Sequence, residues 1–271
     1  MADSQPQSHQ QPSWLTSPPP PPIIITPTFY LRAYTLADAA QLAKTANSSE
    51  IAHRMGDRFP SPYTHADGIG FITRFGRPNP EAGVRDHNFG IFTRSLATIT
   101  GATERDTADG KDKAGGVGEE ETLIGGIGFM PQPAEQRFTS EIGYWLHPSV
   151  WGKGLATKVV REFVRWAFTN FGDDTLVKLQ ARHHAGNERS GRVLEKNGFQ
   201  REGILRKAWA CRDDGDTVRA GQVAEAARRE GQLDAAGSEQ DASAKPKHYV
   251  LDLYIYGLLR EDFEAGQSEK Q

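Results

Sequence analysis

Hydrophobic and polar residues recur along most of the chain with two periods, which predict a mixture of strands and helices. Period-two alternation is typical of half-buried strands, and spacings of three and four residues are typical of amphipathic helices. The pattern predicts strands at 29–34, 88–94, 122–130, 138–146, 176–182 and 248–258. It predicts helices at 36–47, 64–74, 152–171 and 187–197, and a short helix that Ser48 or Ser49 caps and that ends at Met55. Strands and helices mixed at these lengths indicate one α/β domain.

The first 28 residues lack this periodicity. Residues 1–28 contain half of the chain's 16 prolines, including the run from Pro18 to Pro22. Such a composition predicts a disordered tail of polyproline character. The alternative for this tail is a ligand for a proline-recognition module.

Two internal segments also interrupt the pattern. Residues 97–121 and 212–247 are rich in small and charged residues and poor in bulky apolar ones. They cannot bury enough apolar surface to offset the entropy of the chain. We therefore expect two flexible insertions within a domain of residues 29–263, followed by a C-terminal tail at 264–271. A frayed helix at 222–230 is left open.

Composition narrows the classes of function. A net charge of −3 and an isoelectric point of about 6.3 argue against a nucleic-acid partner. The single cysteine, Cys211, excludes an internal disulfide and a multi-thiolate metal site, and the pair His183–His184 lacks further ligands, so we expect no metal. No apolar run approaches the roughly 20 residues that span a bilayer. We expect a cytoplasmic protein with no membrane partner, and a nuclear location is left open.

The segment from Glu141 to Ala156 carries the most specific pattern in the chain. It reads as a buried strand, a short turn with Gly152 and Gly154, and the start of a helix. Unpaired N–H groups and the positive end of the helix dipole make such a start a plausible cradle for phosphate. The alternative is a tight turn with a structural role only.

A second pattern lies about thirty residues further on. Asn187 to Phe199 reads as a short helix that Asn197 and Gly198 close. Together the two segments, EIGYWLHPSVWGKGLA and NERSGRVLEKNGFQREG, resemble the GCN5-related N-acetyltransferase (GNAT) superfamily. They are most similar to its RimJ/RimL-like branch, typified by enzymes that acetylate the N-termini of bacterial ribosomal proteins. The resemblance covers roughly residues 29–96, 122–211 and 248–263. Trp151 departs from it, because the signature usually begins with Gln or Arg at that position.

The resemblance implies a fold and a coenzyme. The fold is a mixed, mostly antiparallel sheet with splayed central strands, flanked by helices. The coenzyme is acetyl-coenzyme A, the acyl donor. Its pyrophosphate is expected on the backbone of Trp151, Gly152, Lys153, Gly154, Leu155 and Ala156. Its pantetheine arm is expected on the backbone of Trp145 and Leu146, with further contacts from Asn187 and Ser190.

For some of these residues a plainer role stays open. Lys153 fits a solvated surface lysine equally well. Asn187 fits an ordinary helix N-cap.

Acyl transfer needs a base that takes a proton from the attacking amine. Glu141 is the expected base, because a carboxylate desolvated by nearby aromatic residues has a raised pKa. The alternative is a strand-edge glutamate paired with Arg or Lys. Tyr144 is expected to protonate the leaving thiolate, or else to lie in the core. The three histidines near the motifs are weaker candidates: His147, His183 and His184.

The sequence therefore predicts an N-acetyltransferase that moves an acetyl group to a primary amine. The amine belongs to a protein N-terminus or a small molecule, and the fold does not decide which. The alternative is a catalytically silent acyl-coenzyme A sensor or scaffold on the same fold, which the tail and the insertions motivate.

Overall fold

The strands form one eight-stranded sheet in the order β1-β2-β3-β4-β5-β6-β8-β7. The computed structural model describes residues 18–19, 21–76, 88–94, 121–130, 132–212 and 248–268. The strands are β1 Ile24–Ile25, β2 Tyr30–Ala33, β3 Asn88–Thr93, β4 Thr122–Met130, β5 Thr139–Leu146, β6 Lys178–His184, β7 Gln200–Arg212 and β8 His248–Leu259. Every neighbouring pair is antiparallel except β5 and β6. The expected mixed, mostly antiparallel sheet is confirmed.

Helices cover both faces of this sheet. Among the described residues they are α1 Ala39–Ala46, α2 Ser49–Ala52, α3 His65–Phe75, α4 Leu155–Asn170, α5 Glu188–Glu195 and α6 Arg260–Ser268. The side that α1 and α3 cover is called the α1 face, and its core includes Tyr30, Phe92 and Leu123. The opposite side is the α4 face, where α4, α5 and α6 lie.

The larger core lies on the α4 face. Helix α4 buries an apolar stripe against the sheet, and Phe163 is fully buried between Phe89 and Phe129. Burying a side chain of this size contributes roughly 1.5–3 kcal/mol. This stripe fixes the start of α4 against the end of β5, where the glycine turn lies.

Strands β5 and β6 part halfway along their length. They pair in parallel from Thr139 and Lys178 to Ile142 and Ala181, and their remaining residues, all of them described, share no partners. This is the splay that the resemblance implies, and it opens a gap in the middle of the sheet.

The predicted helices are present in the structure, but some of them begin or end at other residues than expected. The capping box of Thr64 and Asp67 starts α3 as expected. The helix expected at 152–171 begins only at Leu155, because Gly152 and Gly154 have positive φ and form a turn. The first three residues of the helix expected at 36–47 form a tighter 3-10 turn.

Regular structure extends beyond both expected ends of the domain. Ile24 and Ile25 pair with Leu31 and Tyr30, and Ile24 packs on the core. At the other end, α6 continues to Ser268, and its Phe263 packs on Phe168.

The other predictions about tails and insertions concern residues that lie largely outside the described ranges. This holds for the proline-recognition partner of the tail and for the insertions at 97–121 and 212–247. The described part of the chain contains no helix long and apolar enough to cross a membrane.

Glu121 is an exception within the first insertion. Its carboxylate accepts from Arg32 Nε at 3.0 Å, across 89 positions of sequence. Arg32 also donates to both carboxylate oxygens of Asp38 at 2.8 Å, and its side chain is only 5% exposed. The guanidinium lies 3.8 Å from the centroid of the Phe92 ring. Residue 121 therefore belongs to the folded domain, as the partly exposed member of a charge triad whose other two members, Arg32 and Asp38, are buried.

We expect Arg32→Leu to lower the free energy of unfolding by about 3–5 kcal/mol, because it leaves the Asp38 carboxylate buried without its counter-charge. The matched control is Arg165→Leu, which removes an ion pair with Glu162 on the surface of α4. That pair is worth less than about 1 kcal/mol. Chemical denaturation of both variants measures the difference, and equal small losses would contradict the role of the triad.

Candidate active site

A cleft of about 480 Å³ opens where β5 and β6 part. Its walls come from the end of β5, the turn into α4, helix α5, and α2 with the residues that follow it. Tyr144 and every predicted coenzyme contact except Lys153 line it: Trp145, Leu146, Trp151, Gly152, Gly154, Leu155, Ala156, Asn187 and Ser190. The structure thus brings together residues that lie up to 46 positions apart, and it leaves Lys153 and Glu141 out of the lining.

The glycine turn forms one end of the cleft. Gly152 has a φ of 76° and Gly154 a φ of 74°, and no atom lies within 4 Å of where a Cβ would stand at either position. Backbone conformation therefore requires these glycines, and the space beside them stays open. Gly154 is the N-cap of α4, so the N–H groups of the first helical turn beside this space have no intrahelical acceptor. The geometry fits a cradle for phosphate.

Trp151 fastens this turn to β5. Its indole Nε1 donates to the carbonyl of Leu146 at 2.7 Å. The guanidinium of Arg54 lies 4.4 Å from the centroid of its ring. Trp151 therefore has a structural role that an open-chain Gln or Arg would not fill in the same way. One consequence is that the Leu146 carbonyl, expected to bind pantetheine, already has a partner.

Tyr144 bridges β5 to α5 across the gap. Its hydroxyl lies 2.8 Å from Ser190 Oγ and 3.3 Å from the carbonyl of Ser190. Burial raises the pKa of Tyr144 to about 12, although the bond to Ser190 opposes the shift. The phenol is therefore protonated at neutral pH and can donate a proton inside the cleft.

Asn187 stands at the N-cap of α5, yet its side chain makes no capping hydrogen bond. The plainer role considered for this residue is therefore not the one seen. Its side chain contributes to the cleft wall beside Ser190.

Glu141 lies on the α1 face, on the opposite side of β5 from Tyr144. Glu141 pairs across the sheet with Met130, and alternation puts it on the same side as Trp145, which packs on the α1-face core. Its side chain is 9% exposed, and Arg182 grips both carboxylate oxygens at 2.8 and 2.7 Å. This ion pair matches the alternative stated for Glu141, while its position beside the end of the β5–β6 pairing keeps it next to the gap.

The histidines lie outside the cleft lining. His147 caps the 3-10 turn at Pro148–Val150 through Nδ1. His183 stacks on Tyr254 beneath α5, and burial lowers its pKa. A Cβ on Gly191 would stand 2.7 Å from His183 Nε2, so the glycine allows the helix to pack there. His184 stacks on Trp209.

Sequence reasoning missed the cationic part of the cleft. Arg54, Arg189, Arg192 and Lys196 all line it. The last three recur at intervals of three and four residues, so a helical projection from Asn187 would have placed them on the same side of α5. Arg54 had no such signal, because it reaches the cleft only through the packing of α2.

The geometry agrees with the comparisons to known proteins. Residues 28–200 match the family described as an acetyltransferase (GNAT) domain. The uncharacterised N-acetyltransferase YoaA of Bacillus subtilis is 40% identical over 85 residues, 31% of this chain and 46% of that protein. The ribosomal-protein-serine acetyltransferase of Escherichia coli is 32% identical over 101 residues, 37% of this chain and 54% of that protein. The chain thus spans about half the length of these curated relatives.

Solved structures of low sequence identity to this chain share its fold. A structure of RimL, a ribosomal alpha-N-protein acetyltransferase in complex with coenzyme A, has a TM-score of 0.54 at 14% identity. The match covers 88% of this chain and 98% of that one. Likeness at this identity supports the fold, and the family match spans well over half of the chain. The chain belongs to the GCN5-related N-acetyltransferase family.

Proposed function

We propose that the protein transfers the acetyl group of acetyl-coenzyme A to a primary amine. The observation that carries this proposal is the cleft at the parting of β5 and β6, with an open glycine turn at one end and four cationic side chains along its walls. Helix-start N–H groups and cations suit the phosphates of the coenzyme. The gap between the strands suits its extended pantetheine arm.

The reaction moves two protons. The amine nitrogen forms a bond to the thioester carbonyl carbon as the carbon–sulfur bond breaks, so one proton leaves the nitrogen and one joins the sulfur. Tyr144 and Glu141 point to opposite sides of β5, which suits an acid on the side of the leaving thiol and a base on the side of the incoming amine. In this proposal Tyr144 donates to sulfur, and Glu141 accepts from the amine directly or through a water.

The names of two relatives indicate which class of amine to test first. One curated relative is named a ribosomal-protein-serine acetyltransferase, and the RimL structure is named an alpha-N-protein acetyltransferase. We propose a protein N-terminus as the first acceptor to test and small amines as the second.

A thiol-release assay with a panel of amines separates this function from the catalytically silent alternative. Release of coenzyme A with any amine excludes a silent sensor. Binding of acetyl-coenzyme A without release from the whole panel would favour it. The tail and insertions that motivated that alternative lie largely outside the described residues.

The glycine turn gives a test of the coenzyme site. Asn and Asp both tolerate positive φ better than other side chains, so Gly154→Asn controls for size and strain while Gly154→Asp adds a charge. We expect Gly154→Asp to bind acetyl-coenzyme A roughly 10- to 100-fold more weakly than Gly154→Asn, because its carboxylate repels phosphate. Calorimetry on the two folded variants measures this. Equal affinities of the two variants would contradict the proposal that the pyrophosphate binds at this turn.

For Tyr144 the test is Tyr144→Phe, which keeps the ring and removes the hydroxyl. We expect turnover to fall by about 10²-fold near neutral pH, the lower end of general-acid effects. The loss should shrink above roughly pH 8.5, where a thiolate leaves unaided. Ser190→Ala is the matched control, since it removes the Oγ contact and keeps the phenol.

The parent pH profile adds a second check on Tyr144. With a pKa of about 12, the phenol stays protonated through the alkaline range, so it should produce no alkaline loss of activity below about pH 11. A loss in the Ser190→Ala variant as large as in Tyr144→Phe would assign the effect to the hydrogen bond rather than to the acid.

Glu141 is tested against its own ion-pair partner. Glu141→Gln and Arg182→Gln both break the pair, but only the first removes the carboxylate. If Glu141 is the base, Glu141→Gln lowers turnover by about 10²–10⁴-fold, while Arg182→Gln retains most activity. The loss should shrink at high pH, where free amine is abundant. If both variants lose similar stability and keep turnover per folded molecule, Glu141 only holds the strands together.

A further inference from the structure

Arg54 lines the cleft and is held there by two contacts. It follows α2, and its Nη1 donates to the carbonyl of Glu50 at 2.7 Å. Its guanidinium is stacked on Trp151, and the side chain lies among the cleft-lining residues. The carboxylate of Glu50 is exposed and hydrogen-bonds Ser48 Oγ at 2.7 Å instead. Arg54 is thus positioned by a carbonyl and a ring, and the charge of the Glu50 carboxylate acts on it less strongly than burial and the charge of Arg189 do.

Arg189 lines the same cleft, on the first turn of α5. Arg54 follows α2, so the cleft receives like charges from two separate elements. Burial, followed by the charge of Arg189, lowers the pKa of the Arg54 guanidinium. Two like charges in one cleft are unfavourable unless an anion lies between them.

The identity of that anion follows from charge. An acceptor amine enters with a positive or neutral nitrogen, so a pair of arginines does not favour it. The coenzyme carries several phosphate charges, and planar guanidinium groups bind phosphate through paired hydrogen bonds. The glycine turn is the other phosphate-binding feature of the cleft, and Trp151 lies between it and Arg54.

We propose that Arg54 and Arg189 form a two-sided clamp that grips a phosphate group of the coenzyme and draws α2 towards α5. The clamp rests on the proposed function. It assigns α2 a part in coenzyme binding, in addition to the glycine turn. Binding of the donor thereby closes one wall of the cleft before the amine is used.

The test compares Arg54→Gln and Arg189→Gln with Arg161→Gln. Arg161 is exposed on α4 outside the cleft lining, so its loss gives the same change of net charge. Each clamp variant should weaken coenzyme A binding roughly 10- to 100-fold, as expected for a charge-assisted hydrogen bond, while the control binds like the parent. Calorimetry on the full chain measures the dissociation constants.

Pantetheine, which has the thiol arm and no phosphate, identifies the cause of any loss. The clamp predicts unchanged pantetheine binding, measured by competition, in both variants. An equal loss for pantetheine and coenzyme A would overturn it and assign Arg54 to support of Trp151. Unchanged coenzyme A affinity with a raised KM for the amine would also overturn it. In both cases parent turnover with acetyl-coenzyme A leaves the proposed function standing, whereas failure of the parent to bind coenzyme A would refute that function itself.

Discussion

The parting of β5 from β6 is the constraint on which the rest of this site depends. Backbone N–H and C=O groups inside a fold need partners, and a strand that loses its neighbour leaves one edge unsatisfied. From Gly143 to Leu146, β5 pairs with β4 on one side and with no strand on the other. A ligand that offers its own amide groups can complete this edge, as an added strand completes a sheet. The pantetheine arm has this chemistry.

The surrounding elements hold the gap open and give its two sides different roles. Trp151 ties the glycine turn back to the end of β5, and Tyr144 ties β5 to α5 through Ser190. Neither contact supplies a strand to the open edge of β5. On the α1 face, Arg182, which lies in the separated part of β6, forms an ion pair with Glu141. This ion pair joins the two strands where they diverge. The cleft is lined by helix starts and cations, and a carboxylate lies on the α1 face of β5.

Much of this could be predicted from the sequence, because the relevant signals are local. Glycines between a strand and an apolar helix predict a turn with positive φ. The capping box that starts α3 can be recognised from the four residues that run from Thr64 to Asp67. The order of the two motifs was specific enough to indicate the family. The residues expected around the coenzyme, except Lys153, line one cleft, since strand and helix periodicity decide which side chains share a face.

The remainder depends on contacts that no local pattern records. The pairing of Arg182 with Glu141 follows from a parallel register that joins segments 41 positions apart. Glu121 ended a stretch of weak pattern, and only packing brings it to Arg32. Arg54 enters the cleft because α2 packs beside Trp151. Long-range register and helix packing, rather than propensity, decide these positions.

Amide hydrogen exchange of the full chain with and without acetyl-coenzyme A tests the central claim most directly. The account predicts slower exchange, on binding, in residues 143–146 and in 151–157, where the open strand edge and the helix start would gain partners. The amides of β2 and β3 should be unaffected. If calorimetry on the same preparation shows binding while those two segments exchange at unchanged rates, the gap between β5 and β6 is not the coenzyme site.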